Sequence, residues 1–153
     1  MSRAQLALNV VNLDDAVAFY TKLFGAAPAK LRPGYANFAI ADPPLKLVLI
    51  ENHDPAVGPL NHLGVELSAT EQVSAAQDRL VAEGLSVEAK DRATCCYALQ
   101  DKIWAHGPGG QSWELYTVLA DSETPDGQTG PTAGTEPTCC GAALPAAASG
   151  SCC

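Results

Sequence analysis

The six cysteines of this 153-residue chain all fall in adjacent pairs, Cys95-Cys96, Cys139-Cys140 and Cys152-Cys153. Neighbouring Cα atoms lie about 3.8 Å apart, short of the roughly 4.4–6.8 Å that an unstrained disulfide spans. A bridge within a pair is therefore strained, and bridges between pairs need oxidising surroundings. In the reduced state a vicinal pair offers two soft donors to one thiophilic atom, and the thiolate is the form that binds.

A second donor set comes from an internal repeat. Gln5–Val10 alternates as a strand does, and a helix follows with Asn12 as its cap, Val17, Tyr20 and Phe24 on one face, and Gly25 as its stop. A short 29–32 segment and two strand-like runs, Tyr35–Ile40 and Leu45–Glu51, complete the first copy. The second copy repeats the order. Residues 62–67 read as a strand, Ser68-Ala-Thr-Glu71 reads as a capping box, and Val73, Ala76 and Leu80 face inward on a helix that stops at Gly84. Strand-like runs follow at 87–91, at 97–100 continuing into 102–106, and at 113–118. The Asp-, Pro- and Gly-rich stretch 52–61 is the linker. Halves this small are marginal alone, so they are expected to pack side by side and share a cleft. Gln5 and His62 then hold the same place at the start of each half, and Glu114 on the last strand has Leu47 as its counterpart. Converging on one cleft, they supply an amide, an imidazole and a carboxylate, a three-ligand set related to the 2-His-1-carboxylate arrangement, with Leu47 leaving the fourth place apolar. The residues alone leave a second reading open: a core histidine bonded to backbone, with Gln5 and Glu114 merely on the surface.

Composition narrows the function. The formal net charge is −8, with 9 Lys and Arg against 17 Asp and Glu. An acidic chain without a basic cluster is a poor partner for nucleic acid or anionic membrane. No apolar run approaches the roughly 18 residues of a membrane span, and the N-terminus lacks a signal-peptide core, so a cytoplasmic protein is expected. Beyond Ala120 the chain carries one large aliphatic residue, Leu144, and no aromatic one. Such a stretch cannot bury enough apolar surface to offset its ordering entropy. The expected organisation is a folded body of 1–118, with modules 4–52 and 60–118, and a disordered tail of 119–153 holding two cysteine pairs.

Five stretches together resemble a known family: Gln5-Leu-Ala-Leu-Asn-Val10, Asn61-His-Leu-Gly-Val-Glu-Leu67, Thr94-Cys-Cys-Tyr-Ala98, Asp101-Lys-Ile-Trp104 and Gly107-Pro-Gly-Gly-Gln-Ser-Trp-Glu-Leu-Tyr-Thr-Val118. The chain is similar to the vicinal oxygen chelate superfamily and, within it, to the organoarsenical carbon–arsenic lyases and the related cadmium-induced proteins. The resemblance covers 4–118, and Thr-Cys-Cys-Tyr is its discriminating motif. It implies an α+β fold of two βαβββ modules around a metal cleft. It also implies a non-haem Fe(II) dioxygenase, with O₂ as co-substrate, that cleaves the C–As bond of trivalent organoarsenicals such as methylarsonous acid or aromatic arsenicals to arsenite. Gln5, His62 and Glu114 match the metal ligands, and Cys95 and Cys96 the arsenic-binding pair. His106 and Gly109 stand in a turn where relatives often show Asp-Pro-Asp-Gly, a departure that leaves the ligand set untouched.

Valence supports the thiol assignment. Trivalent arsenic makes three bonds; a monoorganic arsenical spends one on carbon, and two thiolates satisfy the others. Arsenite has three exchangeable positions and is held less completely, so a pair suits substrate better than product. The second copy is longer than the first between its matched positions, and the surplus around Cys95-Cys96 reads as a loop overhanging the metal. Tyr97 is a candidate to close the pocket. Trp104 is a candidate to face the organic group, with core packing as the other reading. A flexible stretch from Val118 to Cys139 reaches roughly 25 Å, so Cys139, Cys140, Cys152 and Cys153 are candidates for auxiliary arsenic capture. The competing function is non-catalytic, thiol-based sequestration of cadmium or arsenite. A monomer and a homodimer both remain open.

Overall fold

The computed structural model describes residues 2–124. Ten elements follow one another as β1 (Arg3–Val10), α1 (Leu13–Phe24), β2 (Lys30–Arg32), β3 (Tyr35–Ile40), β4 (Leu45–Glu51), β5 (Leu60–Glu66), α2 (Thr70–Ala82), β6 (Val87–Cys95), β7 (Ala98–His106) and β8 (Ser112–Asp121). The eight strands form one mixed sheet, curled as a half-barrel, in the order β2-β3-β4-β1-β5-β8-β7-β6. That order is symmetric about the β1–β5 boundary. Each half reads outward as its first, fourth, third and second strand, which is the expected pair of βαβββ modules. β1 runs parallel to β4 and β5 parallel to β8, while β1 and β5 meet antiparallel at the centre.

Alternation divides the two faces. On one face Leu6, Leu8 and Val10 of β1 join Phe38, Leu47 and Leu49 under Leu13, Val17, Tyr20 and Phe24 of α1. The other, concave face carries Gln5, Ala7, Lys46, Val48, Ile50 and Tyr35, all buried. Burying both sides of β4 explains its unbroken apolar run. α1 starts as expected, with the Asn12 side chain accepting from Asp15 N at 2.9 Å, and Gly25 ends it at φ 64°.

Four expectations need correction. The helix cap at Ser68 lies one residue further on: Ala69 is the N-cap without a side-chain bond, and Gln72 Oε1 instead accepts from Ser68 N at 2.8 Å. The extra length of the second half is strand, not loop. β6 and β7 are nine residues each, against three and six for β2 and β3, and only Cys96 and Tyr97 lie between them. The last strand passes the expected boundary at 118 and runs to Asp121, which pairs with Ala98 and takes a salt bridge from Lys30 at 2.6 Å. Finally, the pairing register makes Val48 rather than Leu47 the counterpart of Glu114. Gln5 pairs with Lys46 on β4 and Gly64 with Glu114 on β8; with Gln5 matched to His62, two residues along each strand reach Val48 and Glu114. Leu47 packs under α1 instead. The fourth place is still apolar.

Candidate metal and thiol site

The three residues singled out in sequence lie together on the concave face, and all are buried. Gln5 Nε2 donates to Glu114 Oε2 at 2.9 Å and meets His62 Nε2 at 2.9 Å; His62 Nε2 stands 3.5 Å from Glu114 Oε2. The strands explain the convergence. Gln5 and Gly64 are paired across β1 and β5, and Gly64 and Glu114 across β5 and β8. A Cβ on Gly64 would come within 3.0 Å of Glu114 O and 3.2 Å of Gln5 Nε2. Glycine is thus what lets the Gln5 side chain cross β5 towards Glu114.

Each member is held from behind. An amide nitrogen brings only hydrogens, so His62 Nε2 is the acceptor and the ring proton sits on Nδ1, where it is donated to Asn61 Oδ1 at 2.7 Å. Asn61 is itself oriented by its 2.9 Å bond to Asn9 Oδ1. Trp104, fully buried, stands edge-on to the imidazole at 5.3 Å. Lys102 Nζ, equally buried, donates to Glu114 Oε1 at 3.0 Å and to Gln100 Oε1 at 3.2 Å. The Tyr116 hydroxyl, with one proton to give, lies within hydrogen-bonding distance of Gln5 Oε1 and stands 2.9 Å from Glu66 Oε2. Burial by itself would raise the Glu114 pKa; the Lys102 ammonium against Oε1 opposes it and holds the carboxyl below the usual carboxylate range. Burial, with the Glu66 and Glu114 carboxylates, pushes Tyr116 up, so the phenol stays protonated. Glu66 is lowered although burial opposes it, chiefly by Lys46.

These donors suit a divalent metal ion. The imidazole presents an unprotonated nitrogen, Glu114 is ionised with Oε1 already spoken for and Oε2 turned inward, and either end of the Gln5 amide can face them because the Tyr116 hydroxyl both donates and accepts. Among the described residues no cluster of three or more His, Cys, Asp or Glu forms a second candidate.

Cys95 and Cys96 face the same region. The narrow space beside Gln5, His62 and Glu114 is lined also by Cys95, Cys96, Tyr35, Lys46, Val48 and Gln100. The two Sγ atoms are 3.2 Å apart. Cys95 is disulfide-bonded in this structure. The pair straddles the β6–β7 hairpin: Cys95 closes the ladder opposite Ala98, and the turn is Cys96 (φ 53°) and Tyr97 (φ 62°). Both central residues with positive φ are the mark of a two-residue hairpin turn that ordinarily takes Asn-Gly. Holding side-chain-bearing residues there costs on the order of 1–3 kcal/mol each and needs outside support. Support comes from the other half and from the end of β8. Lys30 Nζ donates to Tyr97 O at 2.9 Å, Ser122 N donates to the same oxygen at 2.9 Å, and the Tyr97 ring packs on Tyr35 at 5.5 Å with the Arg32 guanidinium 5.9 Å from it.

Tyr97 therefore anchors the hairpin, packed with Cys96 against Ala7, Tyr35, Val48 and Ile50. Trp104 lies behind His62, so its place is the core. Cys139, Cys140, Cys152 and Cys153 lie outside the described residues. The sequence reading missed Gln100, Lys102 and Tyr116 as supports of the trio, although their alternation with Glu114 along β7 and β8 carries the signal.

Comparison with known proteins agrees with this architecture. The Glyoxalase/Bleomycin resistance protein/Dioxygenase superfamily model matches residues 3–115. The chain is 61% identical over 124 residues to the cadmium-induced protein CadI of Mycobacterium tuberculosis, covering 81% of each. It is 55% identical over 124 residues to the trivalent organoarsenical cleaving enzyme of Thermomonospora curvata, covering 81% of this chain and 82% of that one. The fold matches an extradiol ring-cleaving dioxygenase from B. fuscum with a TM-score of 0.57 at 19% identity, over 79% of this chain and 34% of that one. Two βαβββ modules meeting at a buried amide, imidazole and carboxylate, with these matches, place the chain in the glyoxalase/bleomycin resistance/dioxygenase superfamily.

Proposed function

We propose that this protein is an Fe(II)-dependent dioxygenase that cleaves the carbon–arsenic bond of trivalent organoarsenicals such as methylarsonous acid, releasing arsenite. The observation that carries the reading is that two adjacent cysteines and the Gln5–His62–Glu114 trio border one small space. The name of the Thermomonospora relative supports the substrate class. In the reduced protein, Cys95 and Cys96 take the two exchangeable positions of the arsenic and hold its carbon–arsenic bond beside the trio. Gln5, His62 and Glu114 would hold the iron, which would supply the activation of O₂. Asn61 keeps the His62 lone pair inward, Lys102 fixes Glu114, and Tyr116 fixes the Gln5 amide. The buried walls keep bulk water from the reacting carbon, and the protein's share of catalysis is positioning.

The test is anaerobic loading of reduced protein with Fe(II), addition of methylarsonous acid, then admission of air while arsenic species are separated. Oxygen-dependent arsenite is expected; its absence overturns the reading. The CadI relative favours a second reading, thiol sequestration of cadmium or arsenite. His62→Ala separates the two. Under the enzymatic reading it abolishes cleavage yet leaves arsenical binding to the thiols. Wild-type protein that binds cadmium or arsenite through its cysteines but never cleaves methylarsonous acid supports sequestration.

A further inference from the structure

A second, larger cavity of about 280 Å³ opens beside Cys96. Cys96, Tyr35 and Lys46 belong to both spaces and so form the partition between them. The space on the trio side is about 10 Å³, the room of a single water. An arsenic atom on Cys95 and Cys96 thus has little space for a large substituent beside the trio, whereas a benzene ring fits the outer cavity. That cavity is lined by Arg3, Lys30 and Lys46 against Glu66 and Asp121, an excess of cations in a chain of net charge −8. Glu66 takes both Arg3 (3.0 Å) and Lys46 (3.0 Å), so one carboxylate is divided between two cations. Arg3 Nε is buried with no acceptor among the described residues.

We propose that this cavity receives the organic substituent of the arsenical and selects aromatic rings that carry an anionic group, which Arg3 engages. The inference rests on the thiol-held arsenical of the proposed function. A ring carboxylate meets the net positive wall and supplies the acceptor that Arg3 Nε lacks, whereas a neutral group of the same size supplies the acceptor without the charge. A charge-assisted hydrogen bond is roughly twice as strong as a neutral one, and a tenfold difference in affinity corresponds to about 1.4 kcal/mol.

The test is isothermal titration of metal-free, fully reduced protein with 4-carboxyphenylarsonous acid, its 4-carbamoyl analogue and phenylarsonous acid. The carboxylate is expected to bind about tenfold more tightly than the carboxamide at low salt, with the preference shrinking as salt rises. In Arg3→Gln the preference falls towards one, while phenylarsonous acid binds as in wild type. Should that variant fail to fold, the wild-type ratio and the Lys30→Gln ratio decide. Equal affinity for carboxylate and carboxamide in wild type, or a preference untouched by Arg3→Gln, overturns the inference while leaving the thiol site standing. If phenylarsonous acid does not bind reduced protein, the dithiol reading falls, and this inference with it.

Discussion

The ion pair of Lys102 and Glu114 shows what a single residue does here. Both are buried, and the ammonium holds Glu114 Oε1 at 3.0 Å, leaving Oε2 for the trio. Lys102→Met leaves an uncompensated buried carboxylate, and breaking such a pair costs about 3–5 kcal/mol. The expected outcome is that loss of stability in urea unfolding, together with weaker Fe(II) binding. Wild-type stability in the variant would show that Glu114 is not charged in the folded state. Gly64 is the steric counterpart. A methyl there meets Glu114 O at 3.0 Å, a backbone atom in the ladder that cannot easily yield. Gly64→Ala is expected to cost about 1–3 kcal/mol and to lower metal affinity, read by denaturation and by metal titration. Unchanged values in both would mean that β5 has room the geometry does not show.

At the scale of elements, the β6–β7 hairpin carries Cys95 and Cys96, and its shape depends on Asp101. Asp101 Oδ1 accepts from Arg92 N and Oδ2 from Thr70 Oγ1, both at 2.7 Å. Arg92 has φ 49° beside a register shift between Lys90 and Ala93. One carboxylate thus ties the bulge of β6 to the first turn of α2. Those two bonds, the Thr70 hydroxyl foremost, lower its pKa against a smaller opposing effect of burial. A lowered carboxyl stabilises the fold fully above its unfolded pKa of about 3.9, and the contribution is lost as pH falls through the lower folded value. Asp101→Asn is therefore expected to destabilise at pH 7 by about 1 kcal/mol. The gap from wild type should narrow below pH 4. Urea midpoints at both pH values decide; a gap independent of pH contradicts the assignment.

The whole molecule behaves as one sheet. β1 and β5 join the halves antiparallel, and the β6–β7 turn is clasped by Lys30 and Tyr35 of the first half. Both tryptophans, Trp104 and Trp113, lie in the second half, so their fluorescence follows that half alone while far-UV circular dichroism follows both. The two transitions are expected to coincide in denaturant. Separated midpoints would show that the modules unfold independently. No helix among the described residues is long and apolar enough to cross a membrane.

Much of this was legible in the residues themselves. Tyr35–Ile40 and Leu45–Glu51 have the expected strand bounds, because period-two alternation and flanking turn residues are local. The grouping of Gln5, His62 and Glu114 followed from the repeat, since equivalent positions in symmetric halves converge. Leu47 and Val48 mark where that route ended. Both are aliphatic neighbours, and only the β1–β4 and β5–β8 ladders decide which faces the cleft, because a one-residue change of register turns every side chain to the opposite face. The cysteine hairpin was hidden for a related reason. Cys96-Tyr97 carries no local signal for positive φ, and the contacts that hold it there come from Lys30, Tyr35 and Ser122, distant in the chain. Local periodicity and repetition thus determined the modules and the trio, while pairing between distant strands decided the supports around it and the facing of the thiols.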